Sequence, residues 1–410
     1  MNKRELLKKI KLSKYFYSIK RILFKDKKSS KLIVDNTKID SIGNNPKKVK
    51  VRNPGVDMAR IASMYSIIIH HVLIHGEAFY IYSKYTELDL MNITTSFHVT
   101  TLGLISGYIG YKSNKYSNLF YLWFWVEFYS LSITFFLNKF RPELETVKFN
   151  YTYFFPVIFG KYWYFTKYLG MYLFLPVINK GISLLTKSEL RNVFMSLICI
   201  LIIERDIVNP IGDEFKVGDG FSCIWLLICF IMGAYFGKFK HNYQGFKKFI
   251  FCILYLNIFY YSTYFCYKIT FYPKKNVSGY FKQKVLTYLK RIFVRRINSI
   301  PMILQSISVL LFLTQIKYNK YLAKIIIFIG PLTFGVYLIH EHPLIRRTLI
   351  RNLFSKDSKK LPVNSVVKLI LIRALKIFSI TACIDYLRYL LFTLLRIRKI
   401  CIFIEEMIFN

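Results

Sequence analysis

Acidic residues are scarce in this 410-residue chain, with 22 Asp and Glu against 60 Lys and Arg. The formal charge of +38 does not point to nucleic acid. The basic residues cluster between apolar blocks, as they do on the cytoplasmic face of a polytopic membrane protein. Cysteine is sparse and odd in number, seven in all, and no C-x-x-C spacing occurs. That argues against a disulfide or metal framework and for buried, small apolar side chains. No H-E-x-x-H motif is present, and no uninterrupted apolar core precedes Lys31, so the start does not read as a signal peptide. No convincing internal repeat appears, which counts against many transporter folds.

Apolar residues, by contrast, make up 54% of the chain and are gathered in blocks near membrane-span length. Soluble proteins average about 45–50%. The blocks predict an all-α, polytopic integral membrane helical bundle of about ten transmembrane helices. The expected spans lie near 61–79, 93–111, 119–137, 162–179, 192–203, 221–236, 249–266, 300–316, 325–339 and 366–396. Residues 1–53 read as a basic cytoplasmic extension, 54–396 as the transmembrane domain and 397–410 as a short tail. Both termini are expected in the cytoplasm of a multi-pass cell-membrane protein. Two loops on the expected outer side are basic against this rule. Residues 268–296 hold nine basic residues and no acidic one, and 341–363 is also net basic. The first of these reads most simply as a binder of anionic lipid headgroups, with contact to an anionic glycan as the other reading.

The chain centres on residues 54–79, PGVDMARIASMYSIIIHHVLIHGEAF. Ionisable groups in a membrane-length segment are costly and mark functional sites. On a helix, Arg60 and His71 lie within about 20° of one line and about 16 Å apart along the axis. His75 follows His71 by one turn, and His70 points about 80° away. The plainer alternative is that Arg60 snorkels and the histidines hydrogen-bond to neighbouring helices. Asp57 is placed to hold Arg60. Asp385 and Arg388 form an i,i+3 pair in the last span, which reads as neutralising packing.

Several stretches then resemble one family. GVDMARIASMYSIIIHHVLIHG is similar to the first-helix signature of the membrane-bound acyltransferase-3 family, in which ten residues separate an Arg and a His, as they do Arg60 and His71. LISGY at 104–108, YWYFTKYLGMYLFLPVIN at 162–179, FSCIWLLICFIMGAYFGK at 221–238, FGVYLIHEHPLIR at 334–346 and IDYLRYLL at 384–391 resemble its surface-polysaccharide branch. The resemblance implies an integral membrane O-acyltransferase. Such an enzyme moves an acyl group, usually acetyl, from acetyl-CoA or another acyl-CoA to a hydroxyl of a cell-surface or exported glycan. The expected partners are acyl-CoA, a glycan or lipid-linked sugar acceptor and the lipid bilayer, with no bound cofactor and no nucleic acid. The family's R-x-x-R pair is replaced here by Lys112-Ser113-Asn114-Lys115, and Lys binds phosphate only as a point charge.

Acyl transfer needs a base for the acceptor hydroxyl, a stabilised oxyanion and a positioned thioester. His71 is the expected general base, or the carrier of a transient acyl group. His75 is expected to orient it, relay a proton or face the acceptor. Arg60, Lys112 and Lys115 make an expected cation cluster for the CoA phosphates, with ordinary positive-inside lysines as the alternative. His340 is expected at the outer end of the ninth span, binding or deprotonating the acceptor or capping carbonyls. Trp163 reads as interfacial belt or sugar-stacking platform. The triplet His340-Glu341-His342 is too tight for a metal site on one helix face, so no metal is expected. A transporter or flippase for a lipid-linked sugar is the alternative function, with Arg60 and the histidines as a proton or substrate path.

Overall fold

A computed structural model describes residues 52–140, 151–204, 213–240, 243–271, 280–293, 296–351, 353–354 and 361–409. The basic extension lies outside these residues, except for Arg52 and Asn53, as do parts of the two basic loops. Among the described residues the regular structure is helical throughout. The chain divides into a large unit, Asn53–Arg388, and a smaller one whose described residues are Arg52 and 389–409.

Every apolar block predicted to span is helical over most of its length, and the blocks at 93–111 and 325–339 each run across two helices. In order these are α1 Pro54–Ile74, α2 Thr86–Thr95, α3 His98–Gly110, α4 Tyr116–Phe140, α5 Trp163–Leu184, α6 Lys187–Ile198, α7 Cys223–Lys238, α8 Gly245–Phe271, α9 Tyr280–Phe293, α10 Ile300–Gln315, α11 Lys320–Ile329, α12 Thr333–His340, α13 Val363–Leu394 and α14 Ile397–Phe409. Helices α2 and α9 fall between the expected spans, and the expected tail forms α14. By length and composition three described helical segments suffice to cross a membrane: Tyr116–Phe140, Gly245–Phe271 and Lys320–His340. Helices α7 and α10 are apolar but shorter. On α8, Phe249, Ile253, Leu254, Leu256, Tyr260 and Tyr261 are all exposed. A contiguous apolar surface of that kind belongs against lipid.

Helix α1 is the hub of the large unit. It packs against α2, α3, α10, α11 and α12, which is why its apolar residues Ile67, Ile68, Ile69, Val72 and Leu73 are all buried. Pro54 stands in its first turn, where a missing N–H costs nothing. The Asn53 side chain accepts from the Gly55 amide at 2.8 Å and donates to the Thr314 carbonyl at 3.2 Å. This cap ties the start of α1 to the end of α10. Helix α1 stops at Gly76, whose amide returns to the His71 carbonyl.

Helices α3 and α7 form the tightest crossing. A Cβ on Gly107 would stand 1.9 Å from the Phe230 carbonyl oxygen, and one on Gly233 would stand 2.0 Å from that of Leu104. Gly103 and Gly237 face the partner helix in the same way. Each helix therefore carries a G-x-x-x-G face, which lets two backbones approach closely in a bilayer. A break at Gly330–Leu332 separates α11 from α12. There the side chain of Asp57 fills the space a Cβ on Gly330 would occupy.

Candidate active site

Helices α1, α3, α5 and α12 enclose a cavity of about 780 Å³. Helix α3 starts beside the histidines of α1 and ends near Ser113, which lines the cavity with Arg60, Asn118 and Tyr172. Beyond His71 the lining continues with His75, His98, Trp163, Phe221, Ile297 and Arg346. One chamber thus has a cation near each end and imidazoles between them.

At the first end, the Arg60 guanidinium is paired with Asp57 at 2.5 Å, one helical turn away. Asp57 is fully buried, whereas the Arg60 side chain keeps 22% of its surface exposed. The carboxylate fixes the guanidinium on the cavity wall. The structure does not bring Lys112 and Lys115 to this cluster. Neither lines the cavity. The Lys112 ammonium lies 5.4 Å from the Tyr111 ring, and the Lys115 carbonyl accepts from the Tyr172 hydroxyl at 2.8 Å. Between them, the Ser113 carbonyl and the Asn114 side chain accept from Asn179 Nδ2 at 3.0 Å and 2.9 Å.

At the centre, three donors converge from segments far apart in sequence. His71 Nδ1 is 3.2 Å from His340 Nε2 and 3.1 Å from Glu341 Oε2. His340 is fully buried and does not line the cavity, so it stands behind His71 and not against an acceptor. Its Nδ1 lies 2.6 Å from the Val336 carbonyl. A carbonyl only accepts, so His340 Nδ1 carries the proton and its Nε2, in the neutral ring, presents a lone pair. His71 Nδ1 must then donate, toward His340 or toward Glu341. The neutral His71 ring is left with its basic lone pair on Nε2. Glu341 Oε1 is held in turn by Arg346 at 2.5 Å. These three donor atoms lie within 4.8 Å of one another, so His71, His340 and Glu341 could also hold a metal ion. That set combines two neighbours in the triplet with a distant histidine. His342 points elsewhere, stacked on Tyr153 with ring centroids 5.7 Å apart.

His75 lies one turn above His71, with ring centroids 5.0 Å apart, and faces the cavity. Trp163 also faces it, packed edge-on against Phe221 at 4.9 Å. Asp385 and Arg388 stand apart from the cavity. Their ion pair, at 2.8 Å, is completed by Trp125 Nε1 at 3.1 Å and the Tyr129 hydroxyl at 2.8 Å, both donating to Asp385. The Arg388 guanidinium lies 3.7 Å above the Trp125 ring. A fully satisfied buried pair of this kind is an anchor between α4 and α13.

Sequence reasoning passed over Glu341 as a partner of His71, and it passed over His98 and Arg346 altogether. A lone His at the start of an apolar run, or an Arg in a basic loop, gives no periodic signal. Only the long-range packing shows where they point.

A part-buried histidine with a fixed tautomer and a cation on the same helix face, both lining one cavity, suit acyl transfer. A family model described as an acyltransferase domain, acyltransferase-3, matches residues 53–389. The chain belongs to the acyltransferase-3 family and is a membrane acyltransferase. No curated protein and no solved structure matches it.

Proposed function

We propose that the protein is an O-acyltransferase that moves an acyl group, acetyl in the first instance, from acyl-CoA to a hydroxyl of a cell-surface or exported glycan. The single observation that carries this reading is the hydrogen-bond order behind His71. The chain from the Val336 carbonyl through His340 leaves His71 Nε2 as an unprotonated base in a chamber that Arg60 also lines. A CoA phosphate held at Arg60 leaves the pantetheine arm to run along α1 toward His71. Charge-assisted hydrogen bonds of this kind are the strong ones.

His71 Nε2 takes the proton from the acceptor hydroxyl as its oxygen attacks the thioester carbonyl. The carbonyl electron pair moves onto oxygen and forms a tetrahedral oxyanion. Collapse re-forms the carbonyl and breaks the C–S bond. The leaving thiolate takes the proton back from His71, so the products are an ester and free CoA. His75, Trp163 and Arg346, beyond His71 from Arg60, form the acceptor side of the chamber. In the membrane the Arg60 end faces the cytoplasm and the Trp163 end faces outward.

The test uses purified full-length protein in lipid with labelled acetyl-CoA and crude membrane glycans. His71→Ala is expected to lower kcat by about 10²–10⁴-fold, the range of a positioned general base. Arg60→Ala is expected to raise KM for acetyl-CoA by roughly tenfold or more, as loss of a charge-assisted hydrogen bond does. A folded wild type that neither binds nor consumes acetyl-CoA, yet moves a lipid-linked sugar across vesicles, would overturn the proposal in favour of transport.

A further inference from the structure

With His71 as base and Arg60 as phosphate anchor, the developing oxyanion still needs a hydrogen-bond donor. We infer that His98 Nε2–H is that group, a neutral imidazole donating to the thioester oxygen as it becomes negative. This inference rests on the acyl-transfer reading.

His98 is the first residue of α3. Its Nδ1 accepts the Val99 backbone amide at 2.8 Å. Because a backbone N–H only donates, Nδ1 carries the lone pair and the proton of the neutral ring sits on Nε2. The side chain is 4% exposed and lines the cavity. Nε2 itself is buried and has no hydrogen-bond partner among the described residues. Buried donors are nearly always paired, and one that is not marks a strain reservoir, a catalytic role or an absent ligand. The His98 side chain lines the chamber where an oxyanion would form.

The ring is also held in place. His70 packs against it edge-on, with centroids 5.3 Å apart, and His70 Nδ1 is 2.8 Å from Asn92 Oδ1. His70 and His71 are adjacent on α1, with centroids 6.2 Å apart. The base and the proposed donor therefore flank His70 in one chamber, and their tautomers are complementary. His71 offers a lone pair on Nε2, and His98 offers a proton on Nε2. The step requires an attacking oxygen at the first and a carbonyl oxygen at the second on one tetrahedral carbon. Such a donor needs no reorganisation as charge develops, which is the basis of oxyanion-hole catalysis. His98 neither gains nor loses its proton in the step.

The experiment compares wild type, His98→Ala and His98→Gln as full-length protein in lipid, under the acetyl-CoA assay with saturating acceptor. The Gln side-chain amide can place an N–H near the position of Nε2. His98→Ala is expected to lower kcat by about 10²–10³-fold, as loss of one oxyanion donor does, with KM for acetyl-CoA within about threefold. His98→Gln is expected to regain at least tenfold of that loss. A trifluoromethyl-ketone analogue of acetyl-CoA, whose hydrate mimics the oxyanion, is expected to lose affinity for the Ala variant in parallel with kcat, while CoA itself does not. If wild type turns over and both variants keep kcat within about threefold, the inference fails and the acyl-transfer reading survives. The inference also fails if both variants lose kcat equally and raise KM together, because that is a packing defect. A wild type that consumes no acetyl-CoA removes the parent reading instead.

Discussion

At the residue scale, the account turns on where protons sit among buried imidazoles. His71 acts as a base only while its Nδ1 proton has somewhere to go, and His340 provides that place because Val336 has fixed its tautomer. His340→Phe keeps much of the ring volume and removes the acceptor. It is expected to lower kcat by about tenfold or more while leaving KM for acetyl-CoA within about threefold, since a positioning group affects the transition state more than ground-state binding. The same donors could hold a metal, but a metal on His71 Nδ1 would displace the proton the mechanism needs. Chelator-treated protein is therefore expected to keep its turnover, and excess Zn²⁺ is expected to inhibit it. Loss of activity on chelation, restored by stoichiometric metal, would contradict this assignment. Arg60 and His71 were legible from sequence because three helical turns put them on one face. The pairing of His71 with His340 and Glu341 was not, because it joins positions 269 residues apart. Lys112 and Lys115 do not line the cavity, and sequence proximity to the membrane face says nothing about the Asn179 bonds that hold their loop.

At the element scale, the position of the site depends on the α3–α7 crossing. Helix α3 sets His98 beside α1, and its own position is fixed by the facing glycines of α7. Gly107→Leu forces a side chain into the Phe230 backbone, where even a Cβ has no room. Overpacking of that kind typically costs about 1–3 kcal/mol and more where backbone must move. The expected outcome is a lower thermal midpoint in detergent and loss of acetyl-CoA turnover. The same substitution at Gly181, where a Cβ meets nothing within 4 Å, is expected to change neither. Equal effects at both positions would show that the close crossing does not hold the site. The apolar blocks predicted where helices form, and three of the described helical segments are long and apolar enough to cross a membrane. Helices α2, α9 and α14 were missed because they are short or carry charge on one side. Their stability comes from packing or an interface, which composition does not report. LISGY and the glycines of FIMGAYFGK stood out as family motifs, and the structure gives them a physical role as packing surfaces.

At the scale of the whole molecule, the chamber is lined by charge at both ends and by imidazoles and aromatics between. That arrangement suits a donor arriving from one membrane face and an acceptor from the other. With exposed Cys199 and Cys383 replaced by serine, Lys115→Cys and Arg347→Cys report the two ends. In right-side-out vesicles, a membrane-impermeant maleimide is expected to label position 347 and spare position 115 until the vesicles are opened. The reverse pattern would invert the assigned orientation. How the chain crosses the membrane was readable from its basic loops only in part, since two expected outer loops are themselves basic.

The proposed passage of acyl groups from CoA to an alcohol in this chamber depends on His71. The most direct measurement is a single turnover of labelled acetyl-CoA by the lipid-embedded protein, followed by separation of CoA, protein-bound label and labelled glycan. The account predicts stoichiometric release of CoA with label on an alkali-labile ester of the acceptor, and neither product from His71→Ala. Release of CoA and labelled ester at wild-type rate from the His71→Ala protein would contradict it.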